Sequence, residues 1–119
     1  ITYESLHVKI LADKYRITQV ISNIINNAIK FTDQGIIAII ASVESTVLKI
    51  RITDTGKGID KGISSRLFDK FVSRSEQGTG LGLFISKNII ESHGGKITGF
   101  NNENGSGATF IFTLPLEFN

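Results

Sequence analysis

The stretch DKYRITQVISNIINNAIKFT, residues 13–32, has the spacing of a long amphipathic helix. Its apolar side chains recur every three or four residues, as they do on the buried face of such a helix. Asp13 is a suitable N-cap, and the segment 32–35 (TDQG) ends the pattern. The predicted core stripe consists of Ile17, Val20, Ile21, Ile24, Ile25, Ala28 and Ile29.

The same helix carries a polar stripe. Asparagine lowers helix stability by roughly 0.7 kcal/mol relative to alanine, so its repeated use on an ordinary solvated face is unexpected. Asn23, Asn27 and Lys30 nevertheless share one face by their spacing, together with Arg16 and Gln19. A carboxamide oxygen can ligate a hard cation, and a lysine can contact phosphate oxygens. The stripe therefore predicts one wall of a metal–nucleotide site.

The remaining patterns predict an α+β domain, with a largely antiparallel sheet and helices packed on one face. In the strand at 47–54, Leu48, Ile50 and Ile52 share the buried face, and by the same parity Asp54 points inward. We expect strands at residues 6–11, 36–44, 47–54, 96–100 and 108–116. A short helix is expected at 64–71, with Leu67, Phe68 and Phe71 buried, and a mobile loop at 72–79. A second long helix is expected at 83–92, and it stops at His93-Gly94-Gly95.

Composition excludes several classes of function. The 119 residues suit one domain, and a net charge of +2, from 13 Lys and Arg against 11 Asp and Glu, gives no strong field for nucleic acid. Because there is no cysteine, disulfides, thiolate metal sites and cysteine nucleophiles are excluded. We find no signal peptide and no apolar run near the ~20 residues of a membrane span, and we expect a cytoplasmic domain. Since the chain begins at Ile1, we expect it to belong to a longer protein, whose membrane attachment stays open.

Asp54 is an inward-facing carboxylate at a strand end, a costly position unless hydrogen bonds satisfy it. It can cap the following turn through backbone amides. It can also accept a hydrogen bond from an exocyclic amino group such as adenine N6, and because a carboxylate only accepts, it would disfavour guanine. The adjacent Gly56 and Gly58 would let a flat base approach the backbone closely. The residues alone leave both roles of Asp54 open.

The glycine-rich segment 78–82 (GTGLG) opens onto the second predicted helix and can direct backbone amides at phosphate oxygens. It lacks the Lys-Ser/Thr of a Walker A motif and the spacing of a dinucleotide fingerprint, and a flexible hinge is the alternative. Gly105 and Gly107 suit a hairpin turn. His7 and His93, which have no second histidine close by in sequence, suit structural roles.

Taken together, the order and spacing of these motifs resemble those of the sensor histidine kinases. Residues 23–32 (NIINNAIKFT) resemble the N box, 54–59 (DTGKGI) the G1 box, 67–71 (LFDKF) the F box, 78–83 (GTGLGL) the G2 box and 105–110 (GSGATF) the G3 segment. The resemblance covers nearly the whole chain and implies the catalytic ATP-binding domain of a two-component kinase. It also implies the Bergerat α/β sandwich of the gyrase, Hsp90, histidine kinase and MutL superfamily, with a mixed, mostly antiparallel sheet.

The resemblance implies a role for each site residue. Asn27 and Lys30 would be catalytic, with Asn27 ligating Mg²⁺ and Lys30 contacting phosphate, while Asn23 would assist at metal or phosphate. Asp54 would bind the adenine amino group, directly and through water. Residues 72–79 would form the ATP lid, in which Arg74 or Gln77 could reach the γ-phosphate. The base pocket would be framed by Phe31, Gly56, Gly58, Ile59 and Thr109, and the phosphates would be closed over by Thr79, Gly80, Leu81 and Gly82.

The implied activity is phosphoryl transfer from Mg-ATP to a histidine on a separate dimerisation domain of the same kinase, which would then serve a response regulator. Neither His7 nor His93 is followed by the acidic residue typical of the family's phosphoacceptor, so we expect this fragment to bind ATP and barely phosphorylate itself. We expect the domain to be monomeric alone and the parent to be a homodimer. Alternatives are a gyrase- or Hsp90-like ATPase, which the absence of Glu between Tyr15 and Phe31 argues against, an anti-sigma-like serine kinase, and a degenerate nucleotide-binding module.

Overall fold

The computed structural model describes residues 8, 10–72 and 80–117. The elements in these ranges are α1 (Lys14–Lys30), β1 (Ile37–Glu44), β2 (Val47–Asp54), a short 3-10 helix (Ser64–Arg66), α2 (Gly82–Ser92), β3 (Ile97–Asn101) and β4 (Ala108–Pro115). The four strands form one sheet of order β1-β2-β4-β3, and each neighbouring pair is antiparallel. Both helices contribute to the core on one face of this sheet, so the predicted α+β class is confirmed.

α1 forms where the helical spacing predicted it. The Asp13 carboxylate accepts hydrogen bonds from the amides of Tyr15 (3.0 Å) and Arg16 (3.2 Å), which confirms the predicted N-cap. The buried stripe is narrower than predicted, because Ile29 is 57% exposed. Ile29 lies about 100° round the helix from Ala28, beyond the face that packs on the core. The fully buried residues of α1 are Ile17, Val20, Ile24 and Ala28.

β2 and β4 form the centre of the sheet and carry much of the core. Alternation along these strands buries Ile52, Phe110, Phe112 and Leu114, each at most 2% exposed. β1 is an edge strand, and its Ile39 and Ile40 are each 54% exposed. Because Asp54 follows the buried Ile52 by two residues, the same alternation turns its carboxylate into the buried face, as predicted. This parity places a charged acceptor at the end of β2.

The segment 64–71 departs from the predicted helix. Only Ser64–Arg66 is helical, as a single 3-10 turn. Leu67 is buried as predicted, whereas Phe71 is 69% exposed and its backbone is left-handed, with φ of 68°. This conformation directs the Phe71 amide to the Gly80 carbonyl (2.8 Å), a contact that a continuing helix would not allow. The predicted burial of Phe71 was therefore wrong.

Parts of two predicted elements lie outside the described residues. For the strand predicted at 6–11, residues 8, 10 and 11 are described and are not in a strand. Of the loop predicted at 72–79, only Val72 is described. The predicted stop of α2 is confirmed, because His93 caps the helix and Gly94 follows with φ of 82°. Neither α-helix in the described ranges combines the length and apolar character that a membrane span requires.

Candidate functional site

The antiparallel packing of α1 and α2 brings the predicted site residues to one end of the helix layer. Near the start of α1, the Asp13 amide donates to His93 Nε2 beyond the end of α2 (3.1 Å). Further along α1, Asn23 Nδ2 donates to the carbonyl of Gly82, the first residue of α2 (3.3 Å). The turn after β2 reaches the same region, where its backbone donates to the carbonyl of Phe31. The C-terminal end of α1, the N-terminal end of α2 and the end of β2 therefore converge.

Asp54 is the buried carboxylate of this region and is 1% exposed. Its Oδ1 accepts hydrogen bonds from the amides of Gly56 (3.0 Å) and Ala108 (3.1 Å). The bond from Gly56 is the turn cap that the sequence allowed, and the bond from Ala108 ties the carboxylate to β4. Both bonds end on Oδ1, and a carboxylate has further acceptor capacity on Oδ2. The capping role therefore leaves an oxygen for a second donor.

Gly56 lets the turn after β2 pack directly against the end of α1. A Cβ at this position would collide with the carbonyl of Phe31 and lie 2.8 Å from the Thr32 hydroxyl. The amide of Lys57 donates to the same Phe31 carbonyl (3.1 Å). The Thr32 hydroxyl is buried and has no hydrogen-bond partner among the described residues. A polar atom beside Gly56 is thus left for an ordered water or a ligand.

Gly58 and Ile59 are held by Asn101, at the end of β3. Ile59 is buried, and its amide and carbonyl bond to the Asn101 side chain, through Oδ1 (2.6 Å) and Nδ2 (2.9 Å) respectively. Asn101 Oδ1 also lies beside Gly58. Asn101 was not predicted as a site residue, because it lies in a segment, 101–107, that is rich in Asn and Gly, as many loops are. A loop composition gives no sign of a partner 42 residues away.

Thr109 lies on the opposite face of the sheet from the Asp54 carboxylate. It pairs with Thr53, their hydroxyl oxygens are 3.1 Å apart, and its own hydroxyl donates to Asn102 Oδ1 (2.5 Å). Asn102 Nδ2 in turn donates to the Asp54 carbonyl (2.8 Å). The structure therefore places Ala108, and not Thr109, on the face of the Asp54 carboxylate. Strand alternation accounts for this placement, since neighbouring residues of a strand point to opposite faces and Thr109 pairs with Thr53, which precedes Asp54.

Asn23 connects the polar stripe of α1 to the first turns of α2. Its Nδ2 lies 3.3 Å from the Gly82 carbonyl and 3.2 Å from the hydroxyl of Ser86. Ser86 is fully buried and donates to the same Gly82 carbonyl (2.8 Å). Ser86 was not predicted to contact the site, because a single serine among the apolar residues of α2 forms no recognisable sequence pattern. Asn23 is thus a helix–helix contact as well as a predicted site residue.

Asn27, Lys30 and Phe31 complete the α1 side of the site. Asn27 is half-buried, and its carbonyl accepts from the amide of Phe31, the C-cap residue (3.2 Å). Lys30 is exposed, with Nζ 5.9 Å from the centroid of the Phe31 ring. A lysine in the last turn of a helix is stabilised by the helix dipole and remains free to pair with an anion. These three residues follow Asn23, whose side chain contacts the start of α2, by one to two helical turns.

The start of α2 supplies the other side. Gly80 has φ of 72°, and a Cβ there would collide with the backbone of Phe71. Leu81 then precedes the helix, which begins at Gly82, and the Leu81 side chain itself makes no capping hydrogen bond. The first amides of a helix have no partner within it, so such a terminus suits an anion. The predicted lid residues Arg74, Gln77 and Thr79 lie outside the described residues.

The side-chain oxygens at this end of the helix layer suit a hard cation that a bound ligand also coordinates. Within residues 8, 10–72 and 80–117, no group of three or more His, Cys, Asp or Glu is placed to hold a metal ion. The side-chain oxygens on the site stripe of α1 belong to the amides of Asn23 and Asn27. Mg²⁺ prefers oxygen ligands, keeps several waters and is commonly held by few protein groups plus phosphates. The site residues fit that kind of coordination better than an all-protein metal site.

A family model described as histidine kinase-, DNA gyrase B-, and HSP90-like ATPase matches residues 12–118. Sensor histidine kinase RcsC of Escherichia coli strain K12 is 43% identical over 115 residues, which cover 92% of this chain and 12% of RcsC. Sensor histidine kinase ZraS of the same strain is 41% identical over 110 residues, covering 92% of this chain and 23% of ZraS. The chain thus spans less than a quarter of either relative.

Solved structures show the same likeness. The nucleotide-free catalytic domain of histidine kinase ThkA is 40% identical, with a TM-score of 0.77 over 87% of this chain and 68% of that chain. Full-length ShkA in complex with AMPPNP is 34% identical, with a TM-score of 0.83 over 97% of this chain and 24% of that chain. With a family model spanning most of its length and relatives above 40% identity, the chain belongs to the family of histidine kinase-, DNA gyrase B- and HSP90-like ATPases.

Proposed function

We propose that this chain is the catalytic domain of a sensor histidine kinase, which binds Mg-ATP and donates the γ-phosphate to a histidine on a separate domain of the same kinase. The observation that carries the proposal is Asp54, a buried carboxylate with Oδ1 held by two backbone amides and acceptor capacity left on Oδ2. The family, and relatives named as sensor histidine kinases, support the reaction class. The AMPPNP complex of ShkA supports the nucleotide.

Adenine would be selected by Asp54. A carboxylate oxygen accepts a hydrogen bond from adenine N6 and repels the O6 acceptor of guanine. Gly56, Gly58 and Ile59 would frame the base, with Phe31 at the end of α1. The Thr32 hydroxyl beside Gly56, which is buried and bonds to none of the described residues, supports a polar ligand or a bridging water at this end.

The phosphates would lie between the end of α1 and the start of α2. Asn27 would provide an amide oxygen to Mg²⁺, which when bound would offset the charge of the phosphate oxygens. Lys30 would pair with a phosphate, and the backbone of Gly80, Leu81 and Gly82 would donate to phosphate oxygens, as would Thr79 in the lid. The position of the N-terminus of α2, one of whose first residues, Gly82, contacts Asn23, supports this orientation of the nucleotide. In phosphoryl transfer, such positioning and charge stabilisation make up most of the catalysis.

The nucleophile would come from another domain. His93 is engaged through both ring nitrogens, because Nε2 accepts from the Asp13 amide (3.1 Å) and Nδ1 lies 2.7 Å from the Ile89 carbonyl. His7 lies outside the described residues. In the proposed reaction, a nitrogen of the partner histidine bonds to the γ-phosphorus. The bond from that phosphorus to the β,γ-bridging oxygen breaks, and ADP leaves with the electron pair.

The proposal extends to partners and location. The dimerisation and phosphotransfer domain of the parent kinase would be the direct partner, and a response regulator would receive the phosphate from it. This domain would be monomeric by itself within a homodimeric parent, and it would reside in the cytoplasm, where ATP is available.

Phosphate labelling tests the division of labour. We predict that the isolated chain, incubated with Mg-ATP labelled in the γ-phosphate, acquires no acid-labile phosphate. Addition of the parent's dimerisation domain should place acid-labile, alkali-stable phosphate on that domain. Labelling of the isolated chain would contradict the assigned division. Rapid release of inorganic phosphate by the chain alone would support a gyrase- or Hsp90-like ATPase instead, even though α1 contains no glutamate.

A further inference from the structure

The fully buried Ser86 has no part in the function proposed above. Its hydroxyl donates to the Gly82 carbonyl one helical turn earlier (2.8 Å) and receives a hydrogen bond from Asn23 Nδ2 (3.2 Å). Asn23 Nδ2 also lies 3.3 Å from the Gly82 carbonyl. The three groups form a closed set of contacts between the polar stripe of α1 and the first two turns of α2.

This set of contacts fixes which way the Asn23 amide faces. A serine hydroxyl has one proton, and that of Ser86 is used on the Gly82 carbonyl, so its oxygen acts as an acceptor toward Asn23. The Gly82 carbonyl is also an acceptor. Both partners therefore require the NH₂ group of Asn23, and a flipped amide would place Oδ1 against two acceptors. The other terminal atom of the Asn23 amide, Oδ1, therefore faces away from Ser86 and Gly82.

We propose that Ser86 is a positioning residue that makes Asn23 a ligand of the cation rather than of the phosphates. The NH₂ group, which alone could donate to a phosphate, is committed to α2, and Oδ1, which alone could ligate Mg²⁺ or one of its waters, is kept available. The inference rests on the proposed nucleotide site, and it narrows the role of Asn23 within it. It also couples the cation side of the site to the first turn of α2.

The test compares ATP affinity with Mg²⁺ and with EDTA, by calorimetry on the complete 119-residue chain. Ser86→Ala should weaken ATP binding in Mg²⁺ about fivefold, the factor that loss of one hydrogen bond typically brings, and less than about twofold in EDTA. Asn23→Ala should show the same pattern with a larger loss. In the double variant, Ser86→Ala should add no further loss, because Ser86 acts through Asn23.

Ser92→Ala is the matched control. Ser92 lies on the same helix and its hydroxyl bonds to a backbone carbonyl, that of Ile89 (2.8 Å), with no asparagine attached. It should bind ATP like the unmodified chain in both conditions. If Ser86→Ala does not fold, Ser86→Cys keeps a similar volume with a weaker donor and acceptor, and the same Mg²⁺-dependent loss is expected.

Three results would overturn the assignment. Equal losses in Mg²⁺ and EDTA would mean that Ser86 only supports the fold or that Asn23 contacts phosphate directly. Unchanged affinity in both Ser86 variants would mean that the contact does not orient Asn23. Additive losses in the double variant would separate the two residues. A chain that binds no ATP at all, in either condition, would instead contradict the proposed function itself, so the two failures are distinguishable.

Discussion

Asp54 joins three segments of the fold at a single residue. Its carboxylate accepts the amides of Gly56 and Ala108, and its carbonyl accepts from Asn102 Nδ2 (2.8 Å). Backbone donors offset part of the cost of burying a charge, and hydrogen bonds to an ionised acceptor are stronger than neutral ones. The same residue therefore stabilises the junction of β2 and β4 and keeps a buried acceptor for a ligand.

Gly56→Ala should destabilise this junction, because the added Cβ would collide with the carbonyl of Phe31, which belongs to the backbone and has little room to move. We expect a loss of about 1–3 kcal/mol in the free energy of unfolding, measured by urea denaturation. Gly62→Ala is the control, since its Cβ would meet nothing closer than 3.4 Å, and it should change stability little. A Gly56→Ala variant as stable as the control would show that the turn can shift away from α1.

Individual contacts were the least predictable part of the site. Asp54 could be placed from strand parity alone, since Ile52 two residues earlier is a core residue. Asn101 and Asn102 could not, because their partners lie 42 and 48 residues away and local patterns carry no record of such pairs. Thr109 is a different case, because the alternation that buries Ala108 already places the Thr109 hydroxyl on the far face of the sheet.

The two helices are tied at both ends of their contact. At one end Asn23 and Ser86 meet, and at the other His93 bridges the start of α1 and the end of α2. Since Nε2 of His93 accepts the Asp13 amide, its Nδ1 carries the proton that is donated to the Ile89 carbonyl. His93 lies at the end of the helices opposite the proposed phosphates.

His93→Ala should remove both bonds and lower the free energy of unfolding by about 1–2 kcal/mol, while ATP affinity stays within about twofold. Urea denaturation and calorimetry measure the two effects. Glu91→Ala serves as the control on the same helix end, because its exposed ion pair with Lys87 (3.7 Å) should contribute less than about 0.5 kcal/mol. A large loss of ATP affinity in His93→Ala would place the histidine in the binding site and contradict this assignment.

Elements with a sustained period were predictable, and short irregular ones were not. α1 follows from 17 residues of helical spacing and an aspartate cap, and the hairpin of β1 and β2 follows from alternation on either side of a turn. The segment 64–71 is too short to show a period, and its path is set by the contact of Phe71 with Gly80, a residue nine positions later. Tertiary contacts decide such segments, and propensity does not.

At the scale of the whole molecule, the sheet and the two helices each place functional groups around one site. The sheet supplies the buried carboxylate of Asp54, α1 supplies two side-chain amides and the charge of Lys30, and α2 supplies its N-terminus. His93, the only histidine among the described residues, uses both ring nitrogens in contacts with the backbone. In the proposed function, this arrangement holds a nucleotide for a nucleophile that another domain provides. The proposed recognition of adenine depends on Asp54.

Calorimetric titration of ATP into Asp54→Asn tests whether Asp54 recognises adenine. The new amide oxygen can still accept from Gly56 and Ala108, so thermal unfolding should show a folded protein, but its NH₂ group would face the amino group of adenine. ATP affinity should fall about 10- to 100-fold, as for a lost hydrogen bond to a charged group. The matched control is Asp60→Asn, at an exposed turn aspartate whose side chain accepts the Gly62 amide (2.8 Å), and it should bind ATP like the unmodified chain. A folded Asp54→Asn variant with unchanged ATP affinity would contradict the account.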